Sequence, residues 1–483
     1  MYDNLLKDVP TDLWLGGTWR KASDGARFDV LDPATEKVVA SVASASEADA
    51  AAALDAAQAA FAGWAARKPR DRAEVLRRAF ELMTRDAERF ARLITIENGK
   101  PLEDSRAEVA YAAEFFRWNA EEAVRNIGEV SRAPSSGARI LVHHKPAGIA
   151  VLVTPWNFPA AMATRKIAPA LAAGCPVILK PASETPLTML ALMPLLEEAG
   201  VPTGVVNVLP SRRSGPVVGR MLKDARTRVV SFTGSTEVGR KLLEQAAENI
   251  LKPAMELGGN APFIVFEDAD LDAAVAGAMV AKMRNMGEAC TAANRFYVHE
   301  AVQAEFAARL TEKMKALKAG HGLEDGVTLG PLVNKDGRDK VVELVEDAVK
   351  KGARLLTGGH VPEGPGFFYP ATVVAGVPDD ALMMREEIFG PVAAIQTFRS
   401  EAEVVAKANA TEYGLVAYVY TRDLGRGLRV SEQLDFGMVG LNRGLVSDPA
   451  APFGGMKQSG LGREGAHEGL MEFLETQYIS VEW

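Results

Sequence analysis

From Gly148 onward the chain alternates short apolar runs with stretches long enough for a helix. The runs are IAVLV (149–153), PVILK (176–180), VVNVL (205–209) and RVVSF (228–232), with helical segments around 187–199 and 215–223 and another after GSTEVG. Apolar runs without polar alternation are strands buried on both faces. A helix between consecutive strands returns the chain for parallel pairing. A second alternation begins at PFIVF (262–266), with helices near 271–284 and 301–318, and RFYV (295–298), LVAYVY (415–420) and GMVGLN (437–442) as strands. Ahead of both lie helical patterns at 46–66, 70–96 and 102–125, then a strand-like RILVHH (139–144). The chain closes on a strand-like LETQYISVEW. The pattern predicts an α/β protein whose ligands bind in loops at the carboxyl ends of parallel strands.

Several function classes are disfavoured. The net charge is −8, from 55 basic and 63 acidic residues, and no basic–aromatic stripe is present, so nucleic acid is not an expected partner. No run approaches a membrane span. MYDNLLKDVPTDLWLGGTW has no basic segment followed by an apolar core, so no secretory signal is expected. Two distant cysteines, Cys175 and Cys290, exclude a disulfide scaffold and fit a reducing cytoplasm. No His/Cys cluster has metal-ligand spacing, so no metal is expected.

A few residues could carry chemistry. Cys290, in NMGEACTAANR, follows a small, polar segment in which Gly287 permits close backbone approach. A thiolate is the side chain best suited to attack an aldehyde carbonyl, although a lone cysteine is more often a structural thiol. Cys175 fits that structural role, since it leads into an apolar strand. Glu256, in MELGGN, could serve as a base for water, or be an ion-paired surface group. Asn157, in TPWNFP directly after IAVLV, could donate to an oxyanion, or simply shape a turn. Lys180, in KPAS (180–183), occupies the equivalent place after the next strand. FTGSTEVG (232–239) is a strand, a Gly/Ser turn and a helix start able to receive pyrophosphate, though its glycines are spaced G-x-x-x-x-G.

Together, TPWNFP, LKPAS, FTGS, MELGGN, the Cys290 segment, EEIFGPV (386–392) and APFGGMKQSGLGRE (451–464) resemble the aldehyde dehydrogenase superfamily, in order and over essentially the whole chain. The resemblance implies that Cys290 attacks the aldehyde, Asn157 and the Cys290 backbone N–H hold the oxyanion, and Glu256 activates the water that hydrolyses a thioester. It places Trp156, Lys180, Ser183, Gly234, Ser235 and Leu257 around NAD or NADP, with Glu387 at the nicotinamide ribose. Ser183 stands where many NAD-preferring members carry a glutamate, which favours NADP. Arg212 and Arg213 could add positive charge nearby, or be solvated loop residues. The implied organisation is a doubly wound, Rossmann-like cofactor domain (1–122 and 143–256), an α/β catalytic domain (257–458) and a small β bridging element (123–142 and 459–483). The exposed strand edge of that element suggests a homodimer or homotetramer.

Two long stretches, AAMATRKIAPALAAGCPVILKPASETP and ELGGNAPFIVFEDADLDAAV, resemble the succinate-semialdehyde branch. That branch implies Arg165, Arg284 and Ser447 as the grip on the substrate's distal carboxylate, since an unpaired buried carboxylate costs several kcal/mol. Glutarate semialdehyde would satisfy the same groups, one methylene being worth ~1–3 kcal/mol. A broad or aromatic aldehyde dehydrogenase and a non-catalytic structural relative are the further alternatives. Where the branch commonly has glutamine, this chain has Glu288, which would raise the Cys290 pKa if it faced the thiol.

Overall fold

The alternation becomes two parallel-rich sheets in a computed structural model that describes residues 3–482. The first sheet runs, in spatial order, Gly460–Leu461, Lys252–Glu256, Thr227–Thr233, Ile149–Val153, Val177–Lys180, Val206–Val208, Leu13–Leu15 and Thr18–Arg20. The five strands from 149 to 256 pair in parallel, and the winding reverses between Ile149–Val153 and Thr227–Thr233. That reversal is the switch point of a doubly wound sheet, and it opens a crevice at the strands' carboxyl ends. Antiparallel Leu13–Leu15 and Thr18–Arg20 extend one edge. Their three-residue length gives no readable period, and the sequence pattern does not reveal them.

Local signals explain the βα units. The helix Pro159–Ala173 is buried at every position, and its alanines let it lie close against the sheet. Gly174, at φ +98°, ends it in the left-handed conformation open to glycine and turns the chain into Val177–Lys180. Gly200 does the same after Leu187–Ala199. Glu47–Ala65 begins with a capping box in which the Ser46 hydroxyl and the Asp49 carboxylate satisfy each other's backbone N–H groups. The stretch expected as one helix over 70–96 is two, Pro69–Arg85 and Ala87–Asn98, broken at Asp86. The second helix carries Glu97–Lys100 into the interior, where all four residues are buried.

The second sheet runs Arg354–Thr357, Thr372–Ala375, Val392–Phe398, Ala293–His299, Ala261–Val265, Val416–Tyr420 and Met438–Leu441, parallel except for its first strand. Only four residues separate Glu256, ending one strand of the first sheet, from Ala261, starting one of the second. The carboxyl end of one sheet therefore faces the amino end of the other. A third, antiparallel sheet joins Leu474–Val481, Arg139–Pro146 and Glu129–Arg132, and its outer strands are largely exposed.

Candidate active site

A cleft of about 270 Å³ opens where the two sheets meet. Its walls come from the loops at the switch point (Pro155–Asn157 and Thr233–Ser235), the connection Leu257–Gly258, and the segment holding Glu288 and Cys290. Glu387–Phe389 close one side, with Trp156 edge-on to Phe389 at 5.4 Å between ring centroids. The larger surface groove between Pro69–Arg85 and Leu102–Glu122 holds no nucleophile, only solvated arginine and glutamate faces over apolar stems.

Cys290 is partly exposed on the cleft wall. Burial is the main reason its thiol is pushed up to about 12; Glu256 and Glu387 add to the rise, and Arg165 and Arg284 oppose it. Cys175, by contrast, is fully buried with its thiol 3.3 Å from the Phe473 carbonyl, as expected of a structural cysteine. Asn157 is buried, and its Nδ2 donates to the Glu288 carbonyl at 3.0 Å. Glu288 turns its carboxylate to the Val333 N–H (3.1 Å), and burial raises its pKa well above the usual range. Three consecutive residues before it, Asn285, Met286 and Gly287, have positive φ. For the two that are not glycine this costs about 1–3 kcal/mol each, which the surrounding contacts must offset.

Glu256 ends its strand with both carboxylate oxygens buried and without a hydrogen-bond partner among the described residues. Gly454, in the PFGG segment, makes room for it: a side chain there would come within 2.9 Å of Oε1. Burial first, and then the charge of Glu464, push the Glu256 pKa well up, while Arg165, Lys166 and Arg463 pull it down. Glu464 itself pairs with both Arg165 and Lys166, and Lys166 also donates to Ser231 Oγ at 2.9 Å. Arg165 lies over the Phe453 ring at 4.2 Å, and Arg284 over Phe158 at 5.0 Å. Both act electrostatically on Cys290 and on the half-buried Tyr111. Ser447 is half-buried in the loop after Met438–Leu441.

The candidate cofactor residues ring the same crevice. Trp156, Gly234, Ser235, Leu257 and Glu387 line the cleft itself. Glu387 accepts from the Gly259 N–H at 3.2 Å, and burial raises it to about 7. Lys180 and Ser183 follow the neighbouring strand; burial lowers Lys180 to about 8. Arg212 reaches Ser183 Oγ at 3.5 Å, whereas Arg213 is held by Asp24. The amino end of the helix Thr236–Glu248 lies at Ser235, so its first-turn N–H groups face the crevice mouth. A switch-point crevice with a helix amino end, a buried lysine and an apolar inner wall fits a dinucleotide. Sequence reasoning missed Lys100, Asn285, Tyr111, Phe158, Lys166, Phe453 and Glu464. Glu464 was readable, since it closes the APFGGMKQSGLGRE motif. Phe158, Asn285, Phe453 and Lys166 stand inside TPWNFP, NMGEACTAANR, APFGGMKQSGLGRE and AAMATRK but give no signal of their own there, and Lys100 and Tyr111 stand in segments with no chemical signature.

Among the described residues there is no metal-ligating cluster, and no helix is long and apolar enough to cross a membrane. Comparison with known proteins identifies the setting. The sequence pattern described as the aldehyde dehydrogenase family matches residues 19–479. The succinate-semialdehyde dehydrogenase of Paenarthrobacter nicotinovorans is 56% identical over 92% of this chain and 99% of its own. The glutarate-semialdehyde dehydrogenase of Pseudomonas putida is 48% identical over 97% of each. The crystal structure of an NADP-dependent enzyme of E. coli superposes with a TM-score of 0.97, at 46% identity, over 100% of this chain and 99% of that one.

Proposed function

The chain belongs to the aldehyde dehydrogenase family, and we propose that it oxidises succinate semialdehyde to succinate, using NADP in preference to NAD. One observation carries the reading. Cys290 and Asn157 line one switch-point cleft, and Glu256, Arg165 and Arg284 are close enough to influence the thiol.

In the proposed reaction the Cys290 sulfur bonds to the aldehyde carbon, and the carbonyl π electrons become an alkoxide. Because burial holds the thiol pKa high, its proton must leave as the bond forms, and it passes to water in the cleft, where the thiol is partly exposed. The remaining Asn157 amide N–H and the Cys290 backbone N–H stabilise the alkoxide; removing one such donor costs ~10²–10³ in rate. Trp156, Lys180, Ser183, Gly234, Ser235, Leu257 and Glu387 would hold a nicotinamide dinucleotide, which would supply the hydride acceptor that oxidation of that carbon needs. Glu256 then removes a proton from water, the oxygen bonds to the thioester carbon, and the Cys290 thiolate leaves.

Arg284 and Arg165, with Ser447, are assigned to the distal carboxylate. Arg165 already shares Glu464, so Arg284 has the larger uncommitted charge. Ser183 in place of an acid, with Arg212 beside it, supports NADP. The similarity to a glutarate-semialdehyde dehydrogenase supports a second reading, the substrate one methylene longer. The exposed apolar side chains Val130, Tyr478 and Ile479 on the three-stranded sheet favour a homodimer or homotetramer, and two unpaired cysteines favour the cytoplasm. The test is a panel of succinate semialdehyde, glutarate semialdehyde and a neutral aldehyde of like length, each with NADP and NAD. Succinate semialdehyde should give the highest kcat/KM, and Arg284→Ala should raise KM about 10-fold or more for the acids alone. Equal kcat/KM for acidic and neutral aldehydes would sink the carboxylate grip.

A further inference from the structure

Beneath Asn157 and the Cys290 loop lies a buried network whose hydrogen bonds close on themselves. The Asn157 carbonyl accepts two donors, Lys100 Nζ at 2.6 Å and Asn285 Nδ2 at 2.9 Å. The Glu288 carbonyl also accepts two, Asn157 Nδ2 at 3.0 Å and Asn285 Nδ2 at 2.8 Å. Each carbonyl has two lone pairs, so both are saturated. Asn285 uses both amide hydrogens, one on each carbonyl. Asn157 uses one and keeps the other outside the network.

Asn285 is fully buried and sits in the left-handed region at φ 53°, ψ 43°. Its own backbone N–H donates to Asp104 at 2.9 Å, and its carbonyl accepts from the Glu288 N–H at 2.8 Å. Lys100 is anchored in turn. It donates to Glu108 at 2.6 Å and lies 4.1 Å from the Phe158 ring centre, while Glu108 caps the N–H groups of Ala160 and Ala161. One amide nitrogen, five residues before Cys290, therefore ties the segment carrying Asn157 to the segment carrying the nucleophile.

We infer that Asn285 is a positioning residue: its side-chain amide, backed by Lys100, fixes the Asn157 amide relative to the Cys290 sulfur. This rests on the proposed role of Asn157 as oxyanion donor. A bridge of this kind sets the relative placement of two reacting groups without touching substrate, and a misplacement of about 1 Å can cost ~10²-fold in rate.

The experiment is a double-mutant cycle on the full-length enzyme, reading kcat, KM, the Kd of NADPH and Tm for the parent, Asn285→Gly, Asn157→Ala and the double variant. Glycine suits the left-handed backbone, so the bridge is removed without adding strain. Asn285→Gly should lower kcat about 10- to 100-fold and leave KM and the NADPH Kd within about threefold. Asn157→Ala should lower kcat ~10²–10³-fold. In the Asn157→Ala background, Asn285→Gly should have little further effect, because the group it positions is gone. Asn285→Asp keeps the size and the left-handed preference but loses both donors, and should match the glycine variant even if that one folds poorly. Multiplying effects in the double variant, or full kcat in Asn285→Asp, would overturn the inference. If Asn157→Ala keeps full kcat, the oxyanion reading itself falls and takes the inference with it, an outcome distinct from the other two.

Discussion

Two buried polar clusters flank Cys290, and they are built on opposite plans. On one side Lys100, Glu108, Asn157 and Asn285 are linked through hydrogen bonds of 2.6–3.0 Å that fill both lone pairs of the Asn157 and Glu288 backbone carbonyls, while the side-chain oxygens of Asn157 and Asn285 stay without a partner among the described residues. On the other side Glu256 has two buried oxygens without a partner, next to Glu464, Arg165 and Lys166, which share one carboxylate. Donors from three residues that converge on two backbone carbonyls leave few low-energy arrangements and resist change. An unsaturated carboxylate can take up a proton or hold a water, at the expense of its own desolvation. The first side is organised to hold geometry, and the second to move protons.

The largest effect should come from removing the unsaturated acid. Glu256→Gln keeps the shape but cannot act as a base, so turnover should fall about 10²–10⁴-fold. If hydrolysis is the step that depends on it, rapid mixing should still show a single burst of NADPH, followed by an acylated enzyme visible as a mass increase on Cys290. Loss of the burst as well would assign Glu256 to activation of the thiol. Turnover near the parent level would remove the contrast between the two clusters.

Breaking the bridged side should appear as instability. Lys100 and Glu108 are both without side-chain exposure, and their pairing is 2.6 Å long. Lys100→Met preserves bulk but leaves Glu108 as an uncompensated buried acid, a change that costs about 3–5 kcal/mol. The expected result is a Tm lowered by several degrees, measured by differential scanning fluorimetry. An unchanged Tm would mean that the ion pair contributes nothing net.

How much of this was legible in the sequence follows the same division. The strands from 149 to 256 could be read because a strand buried on both faces is a continuous apolar run. Cys290, Glu256 and Asn157 could be read because they sit in loops that follow such strands or in glycine-rich motifs. Lys100, Glu108 and Asn285 could not. Lys100 and Glu108 lie in ordinary helical and loop sequence, and Asn285 opens the NMGEACTAANR segment but reads there as a loop asparagine; their importance depends on Ala87–Asn98 ending where it does and placing Lys100 under the Asn157 carbonyl. The edge strands Leu13–Leu15 and Thr18–Arg20 were equally silent, since tertiary pairing alone makes them strands. Arg165 shows the reverse difficulty. Its motif suggested a cation free for substrate, and the fold commits its Nε to Glu464.

The smallest predicted effect is a shift in pH dependence, and it tests whether the second cluster is tuned for proton movement. Burial is the first cause of the raised Glu256 pKa and the charge of Glu464 the second, while Arg165 and Lys166 pull the other way. The base works ionised, so hydrolysis should rise as pH increases through the Glu256 pKa and be lost below it. Glu464→Gln removes the repelling charge and leaves both cations, so the Glu256 pKa should drop. The acid limb of the kcat–pH profile should then move to lower pH, by about one unit for every 1.4 kcal/mol of repulsion removed. The midpoint, not the amplitude, is the readout, because freeing Arg165 and Lys166 also weakens the local packing. A limb that stays in place would mean that burial alone sets the Glu256 pKa. A limb that moves to higher pH would mean that Glu464 acts chiefly by orienting the two cations that keep Glu256 ionised.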